Sequence, residues 1–380
     1  MLVARAGIAA PPAAATPWDA PDDIRAFMVM EVCVDAGDHV RRGLAPTDAD
    51  CTRRRKIREG EPLPYHLHNF PAAGAPCRQR LGTVAKDNIP VTKGGVTRIV
   101  SFYDQGVDHD CADAAPSDPW FGRSDPGREG GSVQWADAAF GFIMGSWSPV
   151  SPSYLRSPLC ADHPDSSRAL FRGWVIAPAH VPDITTAIGF GVFPSKLDLG
   201  SPAATFGHCP DHFNRGFSTW TRTEAGFRSG LRLEAIVASH YSRADRRGTS
   251  PGDSLQLERT YWTREFGLSR WEKWAREDWV HPRSYRPVAE LAQALHKGGA
   301  CGRGLPLRGP IGEALLVAPA DTADRYGERL TDSASGVAHL WFMTLCHDYT
   351  NIVRDPDPAP PVWGGVMDDA YWREDAAAAR

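Results

Sequence analysis

The residues best suited to chemistry lie in one short stretch, 257–274, which reads LERTYWTREFGLSRWEKW. Strand-like residues flank a short segment that contains a glycine, and this pattern predicts a β-hairpin. With the loop centred on Glu265, the predicted register pairs Trp262 with Leu268, Thr260 with Arg270, and Glu258 with Glu272. Two carboxyl groups directly across a sheet lie close together, so each changes the acidity of the other.

The predicted Glu258–Glu272 pair suggests glycoside hydrolysis. A retaining glycosidase needs two carboxyl groups about 5–5.5 Å apart, one as the nucleophile and one as the acid/base. Trp262 and Trp274 beside the pair would form a platform for sugar rings. The alternative is an ordinary surface hairpin whose two glutamates are bridged by an arginine.

The same strands could instead support β-elimination on a uronate. That reaction needs a base, an acid for the leaving oxygen, and a cation that neutralises the carboxylate. His240, Tyr261 and Arg270 supply these three chemical types in that order. A third alternative is a non-catalytic glycan-binding sandwich, in which the tryptophans bind and the carboxylates are incidental.

The residues Glu258-Arg-Thr-Tyr261 and Gly267-Leu-Ser-Arg270-Trp-Glu272 resemble a strand–turn–strand signature of uncharacterised secreted bacterial β-rich proteins. More loosely, they resemble elements of sandwich-fold carbohydrate-active enzymes. The resemblance covers only a small part of the chain. It implies an extracytoplasmic β-protein and carries over no catalytic residue.

The elements that must position these residues are predicted to be mainly strands. Short β-branched or aromatic runs bounded by Pro, Gly or Ser occur at 139–144, 173–176 and 187–193. One helix is predicted between Pro287 and Gly298, and a shorter one after Pro21. The sequence therefore predicts a mainly β fold, an antiparallel sandwich or jelly-roll-like domain with few short helices.

The chain is predicted to contain one large domain. Residues 1–17 are rich in Ala and Pro and suggest an N-terminal spacer. Residues 18–354 would form a single β-rich domain. Residues 355–380, rich in Pro and then Ala, would form a C-terminal tail.

Cysteine usage predicts an oxidising compartment. The eight cysteines are widely spaced and form no CxxC pair, which favours long-range disulfides over a zinc or thioredoxin-like site. Disulfides persist outside the cytoplasm, so we expect a secreted or periplasmic protein. Cys346-His347-Asp348 contains reactive residue types, but a bridged Cys346 is the preferred interpretation.

Charge and hydropathy exclude two classes of partner. With 46 acidic and 42 basic residues the formal charge is −4, which gives no reason to expect nucleic acid. No stretch approaches the roughly 18 apolar residues of a transmembrane helix, so no membrane insertion is expected. The run Arg53–Lys56 is predicted to be a solvated face, with contact to an acidic glycan as the alternative. The predicted partner is a polysaccharide.

No metal or organic cofactor is predicted. His66-x-His68 and the segment 208–212 contain metal-ligand types, but neither has a third ligand assigned. Structural calcium stays open as an alternative, because aspartates are dense in a predicted loop, at Asp104, Asp108, Asp110 and Asp113.

Overall fold

The computed structural model describes the chain in segments. These are residues 18, 20–70, 84–85, 87–93, 96–104, 129–136, 140–147, 174–181, 189–193, 216–242, 255–280, 285, 287–297, 301, 316–318, 327–331 and 337–354. The predicted spacer, the predicted tail and the segment 208–212 lie outside these residues.

Within these segments the fold is mainly β, with antiparallel sheets and two helices, numbered here in chain order. The helices are α1 (Arg25–Met28) and α2 (Val288–Lys297). A two-stranded sheet contains β1 (Glu31–Cys33) and β2 (Arg54–Lys56). A three-stranded sheet has the order β18-β3-β4, in which β3 is Tyr65–His68, β4 is Val84–Ala85 and β18 is Asn351–Arg354.

The two larger sheets are built mostly from neighbouring strands of the chain. The five-stranded sheet contains β5 (Asp87–Lys93), β6 (Val96–Asp104), β7 (Glu129–Ala136), β8 (Phe140–Trp147) and β9 (Trp174–Pro178) in that order. The eight-stranded sheet has the order β10-β11-β12-β13-β14-β17-β16-β15. Its strands are β10 (Gly189–Phe193), β11 (Gly216–Gly226), β12 (Arg232–Ser242), β13 (Gln256–Thr263), β14 (Gly267–Arg276), β15 (Leu316–Ala318), β16 (Gly327–Thr331) and β17 (Ala338–Asp348).

Local sequence signals placed several elements correctly. The three strand-like runs named above correspond to β8, β9 and β10. The predicted helix after Pro287 is α2. The short helix predicted after Pro21 begins at Arg25, where the Asp23 carboxylate accepts a hydrogen bond from the Arg25 backbone N–H at 2.8 Å.

The main core joins the N-terminal segment to the two large sheets. Its fully buried side chains come from all three regions, and include Phe27, Met28, Ile99, Ala235, Trp262 and Phe266. The hairpin formed by β13 and β14 is therefore an inner part of the fold.

The basic run Arg53–Lys56 was predicted to be a solvated face, and this prediction is wrong for its second half. Arg55 contacts both Asp38 and Glu61, and only 14 % of its side chain is exposed. Lys56 is buried. Arg54–Lys56 pair as β2 with β1, and each of these three cations contacts a carboxylate.

Two disulfides are present among the described residues, Cys33–Cys51 and Cys301–Cys346. They confirm the disulfide prediction for four of the cysteines and the bridged state of Cys346. The disulfides indicate an oxidising, extracytoplasmic compartment. Neither described helix has the length and apolar character needed to cross a bilayer.

Candidate functional site

The turn between β13 and β14 is fixed by a contact from outside the hairpin. Gly267 has φ of +71°, a conformation that favours glycine. A Cβ at this position would lie 2.6 Å from the Asn88 side chain. Asn88 is fully buried, and its Nδ2 donates a hydrogen bond to the Phe266 carbonyl at 2.8 Å. The turn therefore has little freedom in its position.

A β-bulge sets the register of the hairpin. Trp262 faces Leu268, as predicted, but Tyr261 faces Arg270, so Ser269 is an extra residue on β14. The Ser269 hydroxyl lies 2.7 Å from Thr263 Oγ1, and this contact stabilises the bulge.

The bulge contradicts the other predicted pairs. Thr260 does not face Arg270, and Glu258 does not face Glu272. Glu272 faces Arg259, and Glu258 faces Lys273. Because successive side chains of a strand point to opposite faces, Glu258 and Glu272 lie on opposite faces of the sheet. The predicted two-carboxylate arrangement is therefore wrong.

On one face, Glu272 is fully buried between two arginines. Its Oε2 lies 3.2 Å from Arg259 Nε, and its Oε1 lies 2.7 Å from Arg270 Nη2. Burial alone would raise the pKa of Glu272, but the charges of Arg270 and Arg259 outweigh it and lower the pKa below its ordinary value. Glu272 is thus held as a carboxylate.

Aromatic residues enclose this ionic group. Trp274 Nε1 donates a hydrogen bond to Glu272 Oε2 at 2.8 Å. The Arg270 guanidinium lies over the Tyr261 ring, 5.4 Å from its centroid, and Arg259 lies over Trp274 at 5.3 Å. Cations over aromatic faces gain electrostatic stabilisation in a desolvated site.

Asp348 of β17 supplies a second buried carboxylate to this face. Its Oδ2 lies 3.9 Å from Arg270 Nη1, and its side chain is fully buried. The Asp348 carboxylate also accepts hydrogen bonds from Thr350 Oγ1 at 2.6 Å and from the backbone N–H of Arg228 at 2.8 Å. We call Arg259, Arg270, Glu272 and Asp348 the buried ion cluster. Two positive and two negative charges balance there.

On the other face, Glu258 is partly exposed. Trp271 Nε1 donates a hydrogen bond to Glu258 Oε2 at 2.9 Å, and Lys273 Nζ lies 3.3 Å from Glu258 Oε1. The side chain of Glu258 is 20 % exposed and that of Lys273 is 31 % exposed. Lys273 Nζ also lies 4.9 Å from the centre of the Trp271 ring. We call Glu258, Trp271 and Lys273 the Glu258 patch.

Histidines border the Glu258 patch on both sides. His240 of β12 is paired directly with Glu258 in the sheet, and it is buried. His347 of β17 contacts the Trp271 ring edge-to-face at 5.4 Å, and its Nδ1 lies 3.1 Å from the Tyr349 hydroxyl. Both histidines share the face of Glu258.

The residues predicted for elimination are also separated by the sheet. Tyr261 and Arg270 belong to the face of the buried ion cluster, whereas His240 belongs to the face of Glu258. The two tryptophans predicted as a sugar platform, Trp262 and Trp274, are 0 % and 5 % exposed, so neither presents an open ring.

Sequence reasoning missed Trp271 and Lys273. Their proximity to Glu258 follows from the bulge, because an uninterrupted register would have placed both on the opposite face from Glu258. Only a prediction of the bulge itself could have identified them.

The described residues contain no group of three or more side chains suited to hold a metal ion. His66 and His68 share one face of β3, with ring centres 6.5 Å apart. Of the four aspartates considered for calcium, only Asp104 lies within the described segments, at the end of β6.

Comparison with known proteins found no matching family model, no matching curated protein and no matching solved structure. The local resemblance described above therefore stays a prediction.

Proposed function

We propose that the protein binds a polysaccharide outside the cytoplasm through the Glu258 patch. The observation that carries this proposal is a partly exposed carboxylate held beside an indole and an ammonium group, at 2.9 Å and 3.3 Å. Carboxylates accept hydrogen bonds from sugar hydroxyls, ammonium groups donate them, and indoles pack on sugar rings.

We propose that a β-sandwich supports the Glu258 patch. The core cluster contains Ile99 and Ile176 from the five-stranded sheet together with Ala235 and Ile236 from the eight-stranded sheet. Strand β9 also lies against β11 and β12. Two sheets that share a core in this way favour a layered arrangement. The disulfides support export to the periplasm or the medium.

Cleavage of the bound polysaccharide is a second candidate function. His240 and Glu258 are direct partners in the β12–β13 register and therefore share a face. An imidazole and a carboxyl group are suitable acid and base types for hydrolysis or for elimination from a uronate. The schemes predicted from the sequence combine groups from opposite faces, so this candidate uses His240 and Glu258 alone.

Binding to a panel of neutral and uronate-containing polysaccharides tests the proposal. We expect Trp271→Ala to weaken binding about tenfold, equivalent to about 1.4 kcal/mol, because it removes the largest apolar surface of the patch. Glu258→Gln should weaken binding several-fold while preserving shape. New reducing ends, or unsaturated products that absorb ultraviolet light, would distinguish hydrolysis from elimination.

Two control variants match these changes in chemistry. Glu224→Gln alters a carboxylate of β11 that is 52 % exposed and paired with Arg232, and Tyr285→Ala removes an aromatic side chain that is 78 % exposed. Both should bind like the unaltered protein. The proposal fails if no polysaccharide binds, or if Trp271→Ala and Glu258→Gln fold normally and bind with unchanged affinity.

A further inference from the structure

The hairpin turn is held against β1 and β2 by a second group of charges. The backbone N–H of Glu31 donates a hydrogen bond to the Glu265 carbonyl at 2.8 Å. Lys56 Nζ donates to the Arg264 carbonyl at 2.5 Å and lies 3.3 Å from Glu31 Oε1. Arg54 contacts both carboxylates, at 3.3 Å to Glu31 and 3.5 Å to Glu265.

The carboxylates of Glu31 and Glu265 lack part of their hydrogen bonding. Glu265 Oε2 is buried and accepts no hydrogen bond from the described residues, and Glu31 Oε2 has its ion pair with Arg54 Nε at 3.3 Å but no hydrogen bond of good geometry. A buried carboxylate oxygen without a donor costs free energy, and protonation of that carboxyl group lowers this cost because it removes the charge. Both carboxylates contact the one guanidinium of Arg54, so the two negative charges lie near each other, and protonation of Glu265 would remove their repulsion.

We propose that Glu31 and Glu265 form an acid-responsive latch, in which proton uptake by Glu265 removes the repulsion between two carboxylates that share Arg54 and so fastens the hairpin turn to β1 and β2. The proton comes from solvent, and no covalent bond changes. The latch lies at the opposite end of the hairpin from the Glu258 patch and does not depend on the proposed function.

The electrostatic environment supports proton uptake at Glu265. Burial raises the pKa of Glu265, the charge of Glu31 raises it further, and Arg54 and Lys56 only partly offset this. Burial likewise lowers the pKa of Lys56, to about 8, so Lys56 stays charged throughout the acid range. Besides these groups and Arg264, the hydroxyl of Tyr65 donates to the Glu31 carbonyl at 2.6 Å and carries no charge in that range.

The sign of the effect follows from linkage. The folded protein holds the proton on Glu265 more tightly than the unfolded chain does. Proton binding therefore stabilises the folded state below the ordinary pKa. This stabilisation is lost as the pH rises through the higher folded-state pKa.

Hydrogen exchange of the full-length protein tests the latch. After correction for the intrinsic exchange rate, we expect peptides that contain the Glu31 amide to become several-fold more protected as the pH falls from neutral to the ordinary glutamate value of 4.5. In Glu265→Gln this rise should disappear, because a neutral amide replaces the titrating group. Glu224→Gln, which changes an exposed carboxylate, should keep the rise.

A second variant keeps the test decisive if Glu265→Gln does not fold. Glu31→Gln removes the neighbouring charge and should reduce the rise in protection. The latch is refuted if the unaltered protein shows no rise, or if either glutamine variant folds and shows the same rise as the unaltered protein.

Discussion

On one face of the β13–β14 hairpin, Glu272 is fully buried between Arg259 and Arg270, whereas on the other face Glu258 is 20 % exposed beside Lys273. Both carboxylates face a cation across the same pair of strands. They differ in desolvation. Breaking the buried pair therefore costs more free energy than breaking the partly exposed pair.

This difference separates a structural role from the binding role that we propose. The buried ion cluster has balanced charges and aromatic neighbours, and its members join β13, β14 and β17. The Glu258 patch retains contact with solvent and could exchange its internal contacts for those of a ligand. The distinction depends on a single extra residue, Ser269.

Deletion of Ser269 should have the largest effect. Removing the bulge would turn every side chain from Arg270 to Trp274 to the opposite face. We expect the cooperative unfolding transition to be lost, because the rearrangement would exceed the total stability of a typical domain, about 5–15 kcal/mol. Circular dichroism during urea denaturation measures this.

Ser269→Ala is the matched control for that deletion. It keeps the residue count and removes the hydroxyl contacts to Thr263 Oγ1 and the Gly267 carbonyl. Ser269→Ala should lower the free energy of unfolding by about 1 kcal/mol. If the deletion and the substitution gave equal midpoints, the bulge would not determine which face each glutamate occupies.

Arg270→Met should have the next largest effect. It leaves the buried ion cluster with two carboxylates and one guanidinium. Breaking a buried ion pair lowers the free energy of unfolding by about 3–5 kcal/mol. Equilibrium urea denaturation gives the change in free energy of unfolding. The control is Arg232→Met, at a side chain that is 73 % exposed, which should change stability little. Equal effects of the two variants would show that the cluster is not tightly coupled.

Glu272→Gln should have a smaller effect, and one that depends on pH. Because the folded-state pKa of Glu272 is lowered, its carboxylate stabilises the fold above the ordinary value of 4.5, and this is lost as the pH falls through the folded-state pKa. The cost of Glu272→Gln should therefore shrink on acidification. Denaturation at several pH values tests this, and a constant cost would contradict the assignment.

Lys273→Met should have the smallest effect. The Lys273–Glu258 pair is partly exposed, and such pairs contribute about 0–1 kcal/mol. The same denaturation measurement applies. A cost comparable to that of Arg270→Met would remove the contrast between the two faces.

Much of the element order could be predicted from local sequence. Pro287 directly precedes α2 because proline favours the start of a helix. Short runs bounded by turn residues located β8, β9 and β10 for a similar reason. These signals depend on a few neighbouring residues, so they can be recognised without knowledge of the fold.

The register and the burial of the hairpin could not be predicted in the same way. Alternation indicates which side chains share a face, but the bulge at Ser269 reverses that assignment for half of the hairpin. Trp262 and Trp274 were expected to be exposed, yet both are covered by neighbouring structure. Long-range packing decided both features.

The contact between Asn88 and the hairpin turn has a consequence for how the chain folds. Asn88 and Phe266 are separated by 178 positions in sequence. The strands β13 and β14 can pair early, because their connection is short, but the turn acquires its final partner only after this long loop closes. We therefore expect a refolding reaction in which hairpin formation precedes a slower step that brings β5 into place.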